Sequence, residues 1–328
     1  MIKIVAYTPG KPIKADCQPA DLPALLKNKK TLVWVDFESE PNEACHPILH
    51  DVFGFDDLAV EDALAQMHAP KVDDWGKYLY IVFNDMSLNR NGSLEIVTEE
   101  LDAFLGANYV VTHHDQPIPS IRKSWEMSLR DPRYTNRGAD HLLYKIVDNL
   151  VADYMPIVET IDEEIDAIED QVLASPNIAL QEKLFALKRA LQTMRRVITP
   201  QREVLSKLAR DDYEVIDPAD RMLFRDVYDH LVRLHDLNES MRDLVSGIQD
   251  IYLSAINNRM NAVMKTLTII TTMFMPISFV AAFFGMNFFG LTHELDTLLA
   301  SIVFYVVTAL MIAVPITMFA WMRKRTWL

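Results

Sequence analysis

Residues 266–290 read TLTIITTMFMPISFVAAFFGMNFFG, and what surrounds that run decides the fold. From Thr266 to Phe284 it carries no charge, and a second uncharged run, LASIVFYVVTALMIAVPITMFAWM, fills 299–322. At about 1.5 Å rise per residue these runs reach roughly 28 and 36 Å, against about 30 Å of bilayer hydrocarbon. Both read as transmembrane helices.

Orientation follows from the basic residues beside them. Arg259 and Lys265 precede the first run, and Arg323, Lys324 and Arg325 follow the second. The connecting loop, 287–298, holds His293, Glu294 and Asp296 but no Lys or Arg. Both chain ends are therefore expected in the cytosol, with the loop outside. The opening MIKIVAY lacks the charged start and long apolar core of a secretory signal. Cys17 and Cys45 fall on the cytosolic side, where free thiols are expected.

Half of the 328 residues are hydrophobic, yet the net charge is −14 and nearly all of it lies before residue 263. An acidic balance argues against a nucleic-acid partner. It suits cationic partners, or simply a soluble domain that resists aggregation. Residues 1–135 alternate short apolar blocks with short helical ones and read as an α/β domain. Strands are expected at Ile2–Tyr7, Thr31–Phe37, Tyr78–Met86, Leu101–Leu105 and Tyr109–His113. Helices are expected at Leu22–Asn28, Ala44–Val52, Leu58–Gln66 and Ile118–Leu129. Asn89-Arg90-Asn91-Gly92 marks a hairpin turn. Only nine glycines are present and none forms a phosphate-binding loop.

Residues 136–212 read as a helical hairpin, one helix reaching Leu173 and breaking at Ser175-Pro176-Asn177, the next reaching Arg210. The first carries eight acids from Asp153 to Asp170 and no base; the second carries eight bases from Lys183 to Arg210. Either the two faces neutralise each other, or the acids gather cations or meet the bases of another subunit. Asp217-Pro218 caps a third helix that has no stop signal before the membrane, giving a stalk (213–262) continuous with the first span (263–286). Val227, Leu231, Leu234, Met241, Val245, Ile248, Tyr252 and Ala255 form a heptad seam, with Asn238 as its polar member, suited to helix association.

Two helices cannot enclose water, so any path across the membrane needs several chains around an axis. The first span offers a lining stripe: Asn261, Met264, Thr268, Thr271, Met275 and Ser278 recur on one face, with Leu267 at its edge. Thr and Ser in such helices also serve merely to bond their own backbone or to pack. A charged ring would hold a divalent ion too tightly to release it, and Mg²⁺ sheds water reluctantly. A ring of Asn287 amides could instead receive a hydrated cation at the outer mouth. Gly285 then lets the helix end, and Met264, Leu267 and Met275 provide apolar constrictions.

Gly285-Met286-Asn287 after the first of two C-terminal spans resembles the signature of the CorA family of magnesium and cobalt channels. The run from Asn261 to Ile270, Phe274-Met275-Pro276 and the closing Arg323-Lys324-Arg325-Thr326-Trp327-Leu328 are similar to the family pattern as well. So are Lys71-Val72, Asp140–Asp148, Phe224–His230 and Val245-Ser246-Gly247. The resemblance covers essentially the whole chain. It implies a funnel-shaped homopentamer in the inner membrane that conducts Mg²⁺, and Co²⁺ or Ni²⁺, and uses no organic cofactor. It also implies a gate set by cytosolic Mg²⁺ bound between subunits. Asp226 matches a regulatory aspartate; its partner from the adjacent α/β domain is expected around Asp85 and Asn89, where Asn89 stands in place of an acid. Glu294, in a His-Glu-Leu triplet, is expected to attract cations to the mouth.

Rival readings remain. A zinc transporter of the same superfamily would share the architecture. A membrane-anchored scaffold would sense Mg²⁺ without conducting it. An enzyme would need a metal site, for which His113-His114-Asp115 is the sole candidate, and neighbours on a strand point to opposite faces.

Overall fold

Short blocks of Val, Ile and aromatic residues in the first 114 positions become six strands in the computed structural model, which describes residues 1–15, 17–65, 68–89, 94–174, 177–286 and 297–324. They are β1 (Ile2–Tyr7), β2 (Leu32–Glu38), β3 (Lys71–Asp74), β4 (Tyr78–Leu88), β5 (Ile96–Gly106) and β6 (Tyr109–His114). The sheet order is β1-β2-β6-β5-β4-β3, and only the β2–β6 pair is parallel. That pair needs a crossover, and the chain supplies one through helices and the β3–β5 meander. Because β2 and β6 are covered on both faces, they read as nearly unbroken apolar runs.

Three short helices, α1 (Leu22–Lys27), α2 (Asn42–Pro47) and α3 (Asp57–Leu64), cover one face over Val33, Val35, Phe37, Tyr80 and Phe104. Phe55 stacks on Phe104 there with ring centroids 4.2 Å apart. On the other face Trp34 packs against Trp125 of α4 (Pro119–Arg130). The β5–β6 turn depends on Gly106, since a Cβ there would lie 2.2 Å from the Tyr109 ring. The β4–β5 hairpin forms as expected, closed by Asn89 N–H donating to the Glu95 carbonyl at 2.9 Å. Its turn at 90–93 lies outside the described residues. Strand β3 was not expected; Lys-Val-Asp-Asp is too polar and too short to show a strand rhythm.

The helix expected to run to Leu173 is two helices, α5 (Ala139–Ala152) and α6 (Met155–Ala174). The break falls before Pro156, which has no N–H to continue the ladder. Tyr154 turns inward there: its hydroxyl donates to the Asn84 carbonyl and accepts from Gln201 Nε2 at 2.8 Å. Gln201 lies on α7 (Ile178–Arg210), which Asn177 caps by accepting from Leu180 N–H at 3.0 Å. Ile161, Ile165 and Ile168 form the buried stripe of α6.

The stalk and first span are one 68-residue helix, α8 (Pro218–Gly285), begun by Asp217 accepting from Ala219 N–H at 2.8 Å. The second span is α9 (Thr297–Lys324). The chain divides into two compact units, Met1–Asp250 and Ile251–Leu328. The first has the sheet and its core. The second holds the last part of α8 and α9, and among its described residues only Tyr252 and Met322 are buried hydrophobics.

Candidate functional site

The stripe read from the sequence exists as a surface. Asn261, Met264, Leu267, Thr268, Thr271, Met275 and Ser278 all lie on α8 and are all exposed. With about 100° per residue they occupy an arc of about 120°. Thr268 and Thr271 donate their hydroxyls to the carbonyls of Met264 and Leu267, at 2.8 and 2.9 Å. Their protons are thus spent on the helix, while the oxygen lone pairs remain. An oxygen that only accepts suits the water coat of a cation, whose hydrogens point outward. At its N-terminal end the stripe borders a groove of about 360 Å³ shared with Met318, Trp321 and Met322 of α9.

Pro276 sits within α8 without ending it, and frees the Thr272 carbonyl from its ordinary partner. The helix stops at Gly285, where Met286 N–H still bonds the Ala282 carbonyl at 3.1 Å. Gly285 keeps an ordinary backbone with open space around it, so its conformational freedom is not used in this arrangement. Asn287 and Glu294 lie outside the described residues.

The residues expected to hold a regulatory ion separate. Asp226 is exposed on α8, beside Tyr144 and Asp148 of α5. The Asp148 carboxyl is pushed up, chiefly by burial. Asn89 ends β4 and its amide donates to Glu95 at 3.1 Å. Asp85, by contrast, is 4 % exposed. It shares a strand face with Ile81 and Phe83, so alternation carries it into the core. Burial, and then Asp153, pushes its carboxyl up to about 7. The expectation that Asp85 reaches an ion between two chains is therefore corrected: it is an internal acid.

The heptad seam also changes role. Val227, Leu231, Leu234, Asn238, Met241, Val245, Ile248 and Tyr252 are buried by their own chain, with Ala255 half-buried. Arg195 on α7 pairs with Glu239 at 3.4 Å, and the Arg210 guanidinium lies over the Tyr228 ring, which puts α7 beside this seam. A different stripe stays open, with Leu237, Leu244 and Ile251 at heptad spacing, Ser240 and Gly247 between them and Ser254 beyond. The acids of α6 make no ion pair with the bases of α7 among the described residues; they face outward while isoleucines fill the contact.

Sequence reasoning missed the anchor of α8. Asp220, in its first turn, is 2 % exposed and accepts from Arg137 at 2.6 Å, with His141 Nδ1 at 3.6 Å. Asp140 accepts from Asp217 N–H at 2.8 Å. The missed signal was the acid and cation density of Arg137–His141. The histidine pair of β6 splits between faces, as alternation requires. His113 faces Asp102 at 3.6 Å, and His114 faces Asp36 at 3.3 Å. Tyr80 donates to Asp102 at 2.7 Å, and burial pushes that carboxyl up to about 6. Among the described residues no three His, Cys, Asp or Glu side chains converge to hold a bare metal ion.

With this geometry in hand, comparison with known proteins is informative. The sequence matches the profile of the family described as CorA-like Mg²⁺ transporter protein over residues 29–324. It is 35 % identical to the cobalt/magnesium transport protein CorA of Thermotoga maritima over 92 % of this chain and 85 % of that one. It is 26 % identical to the protein of the same name in Methanocaldococcus jannaschii, covering 78 % of this chain and 80 % of that one. The complete structure of the CorA magnesium transporter from M. jannaschii superposes with a TM-score of 0.82 at 24 % identity, covering 100 % of this chain and 99 % of that one.

Proposed function

This chain belongs to the CorA-like Mg²⁺ transporter family, and on that premise we propose that it is a channel for hydrated divalent cations, Mg²⁺ and Co²⁺, into the cytoplasm. The observation that carries the reading is the uncharged, acceptor-rich stripe on α8, exposed by its own chain within an apolar span. Such a face suits neither lipid nor a solitary helix. Five copies around an axis would turn it inward, and the exposed Leu237–Leu244–Ile251 stripe, with small residues between, supports that association along the stalk.

In this reading the bases at 259, 265, 323 and 324 keep both ends in the cytosol, in the inner membrane. Five Asn287 amides accept hydrogen bonds from the ion's water at the outer mouth, and Glu294 draws cations towards it. Met264, Leu267 and Met275 close by expelling water. The membrane potential drives a divalent ion with about 4.6 kcal/mol per 100 mV. Cytosolic Mg²⁺ between subunits offsets the repulsion around Asp226, which lies near the acid Asp148 of its own chain. Its partner on the neighbouring chain comes from the Asn89 end of β4. When Mg²⁺ falls, the repulsion loosens the stalk and the constriction wets. Resident regulatory Mg²⁺ needs no further cofactor.

Mg²⁺ and Co²⁺ uptake into proteoliposomes tests this. Asn287→Ala should abolish uptake and leave the oligomer intact on size-exclusion chromatography. Undiminished uptake by that variant overturns the filter assignment, and no uptake by the wild type overturns the channel.

A further inference from the structure

A second candidate site lies within the α/β unit, where β6 ends in the interior of the sheet. A cleft of about 290 Å³ opens where β5 and β6 run side by side. Its walls include Glu99, Glu100 and Asp102 from β5 and His113, His114 and Asp115 at the end of β6, and no Lys or Arg among the described residues. The register explains the gathering, because Asp102 stands opposite His113 in the ladder. Strand alternation alone would have scattered these side chains over two faces. The end of β6 lets both faces contribute to one opening.

Two of the acids are already engaged. Glu100 accepts from the backbone and ring of His68, and Asp102 from Tyr80. Glu99 and Asp115 have no ion-pair partner among the described residues, and burial, then Asp115, pushes the Glu99 carboxyl up. A separate observation points to a ligand. His113 is 3 % exposed; its Nδ1 faces Asp102 at 3.6 Å, whereas its Nε2 has no hydrogen-bond partner, although the ring forms part of the cleft wall. A buried ring nitrogen left unpaired is a deficit that a bound group offering a hydrogen bond would remove.

The donors do not converge tightly enough for direct coordination. The volume argues for an ion that keeps its water. Six waters at about 30 Å³ each occupy roughly 180 Å³, which the cleft accommodates with the ion inside. Mg²⁺ is the ion least willing to lose that shell.

We propose that this cleft binds a hydrated divalent cation in each chain, through water held by Glu99, Asp115 and His113. The site lies wholly within one α/β unit, so it differs from a site shared between subunits and does not depend on Asp226 or Asn287. It would let the cytosolic unit respond to divalent cations before any subunit contact changes.

Mn²⁺ is the probe. Its binding to the purified full-length protein is counted by electron paramagnetic resonance, for wild type, for Glu99→Gln/Asp115→Asn and for Asp226→Asn. The expected result is one ion per chain fewer in the double variant, with Asp226→Asn retaining that ion. Equal Mn²⁺ stoichiometry in wild type and double variant overturns the proposal. Should the double variant fold poorly, Fe²⁺ with ascorbate and peroxide reports on the wild type directly. Backbone cleavage near 98–102 and 113–116, suppressed by Mg²⁺, supports the site; cleavage confined to other regions overturns it.

Discussion

The unit from Met1 to Asp250 and the unit from Ile251 to Leu328 solve the same problem in different solvents. The first hides Trp34, Tyr80, Phe55 and Phe104 inside itself, around a sheet whose faces are both covered. The second leaves Phe274, Phe279, Phe304, Tyr305 and Trp321 facing outward, and its most apolar windows are 0 % and 6 % buried by the chain. In water such a surface would aggregate. It is stable only when lipid and other copies of the chain complete it. The lesson is that burial within one chain measures folding in the first unit, whereas in the second exposure marks what lipid and neighbours must cover.

That contrast can be broken by mutation. The largest effect is expected for Phe55→Ala, which removes a fully buried ring and should cost the first unit about 3–5 kcal/mol in a urea titration. Phe279→Ala, which the chain does not bury, should leave that unit's midpoint unchanged; a similar loss for both would erase the distinction. Next is the buried acid. The Asp85 carboxyl stands at about 7 against an ordinary 3.8, a difference of roughly 4 kcal/mol at one pH extreme. Because its value is raised in the folded state, the stability it permits is full below about 3.8 and is lost as pH climbs through about 7. Asp85→Asn should therefore stabilise the protein at pH 8, and the gain should shrink towards pH 4. A gain independent of pH contradicts the assignment.

Smaller effects concern the stalk. Leu244→Asp puts a charge on the open stripe and should weaken self-association about tenfold, or about 1.4 kcal/mol, by sedimentation. Val245→Ala, one residue along but facing its own chain, should lower stability and leave the oligomer unchanged. The smallest is Asp226→Asn, which should move inhibition by internal Mg²⁺ a few-fold to higher concentration, since one repulsive charge of several is removed; identical dose-response curves count against its gating role.

How far the sequence could be read divides along the same line. Uncharged length and the position of Lys and Arg were sufficient to recognise α8 and α9, because the bilayer allows few alternatives. In the first unit β2, β4 and β6 were legible as apolar runs, while β3 and the outer half of β5, with Thr98-Glu99-Glu100, were hidden by their polar side chains. The α5–α6 break had a signal in Pro156, outweighed by continuous helical periodicity on either side. Asp85 could have been assigned inward from its alternation with Ile81 and Phe83. The heptad seam could not be assigned to chain or partner, because Val227–Tyr252 and Leu237–Ile251 are both apolar stripes and only packing against α7 distinguishes them.

The central claim is that one face of α8 lines water while the opposite face of the same helix does not. Thr271 and Met273 differ by about 200° around the helix and only about 3 Å along it. Each is changed to Cys in turn, with Cys17 replaced; Cys45 is buried, its thiol pushed up to about 11, and so is unreactive. Mg²⁺ uptake is then measured before and after a charged, membrane-impermeant thiol reagent is applied under conditions that open the channel. Block of Thr271→Cys with Met273→Cys unaffected is the predicted result, and block of Met273→Cys alone, or of neither, contradicts the account.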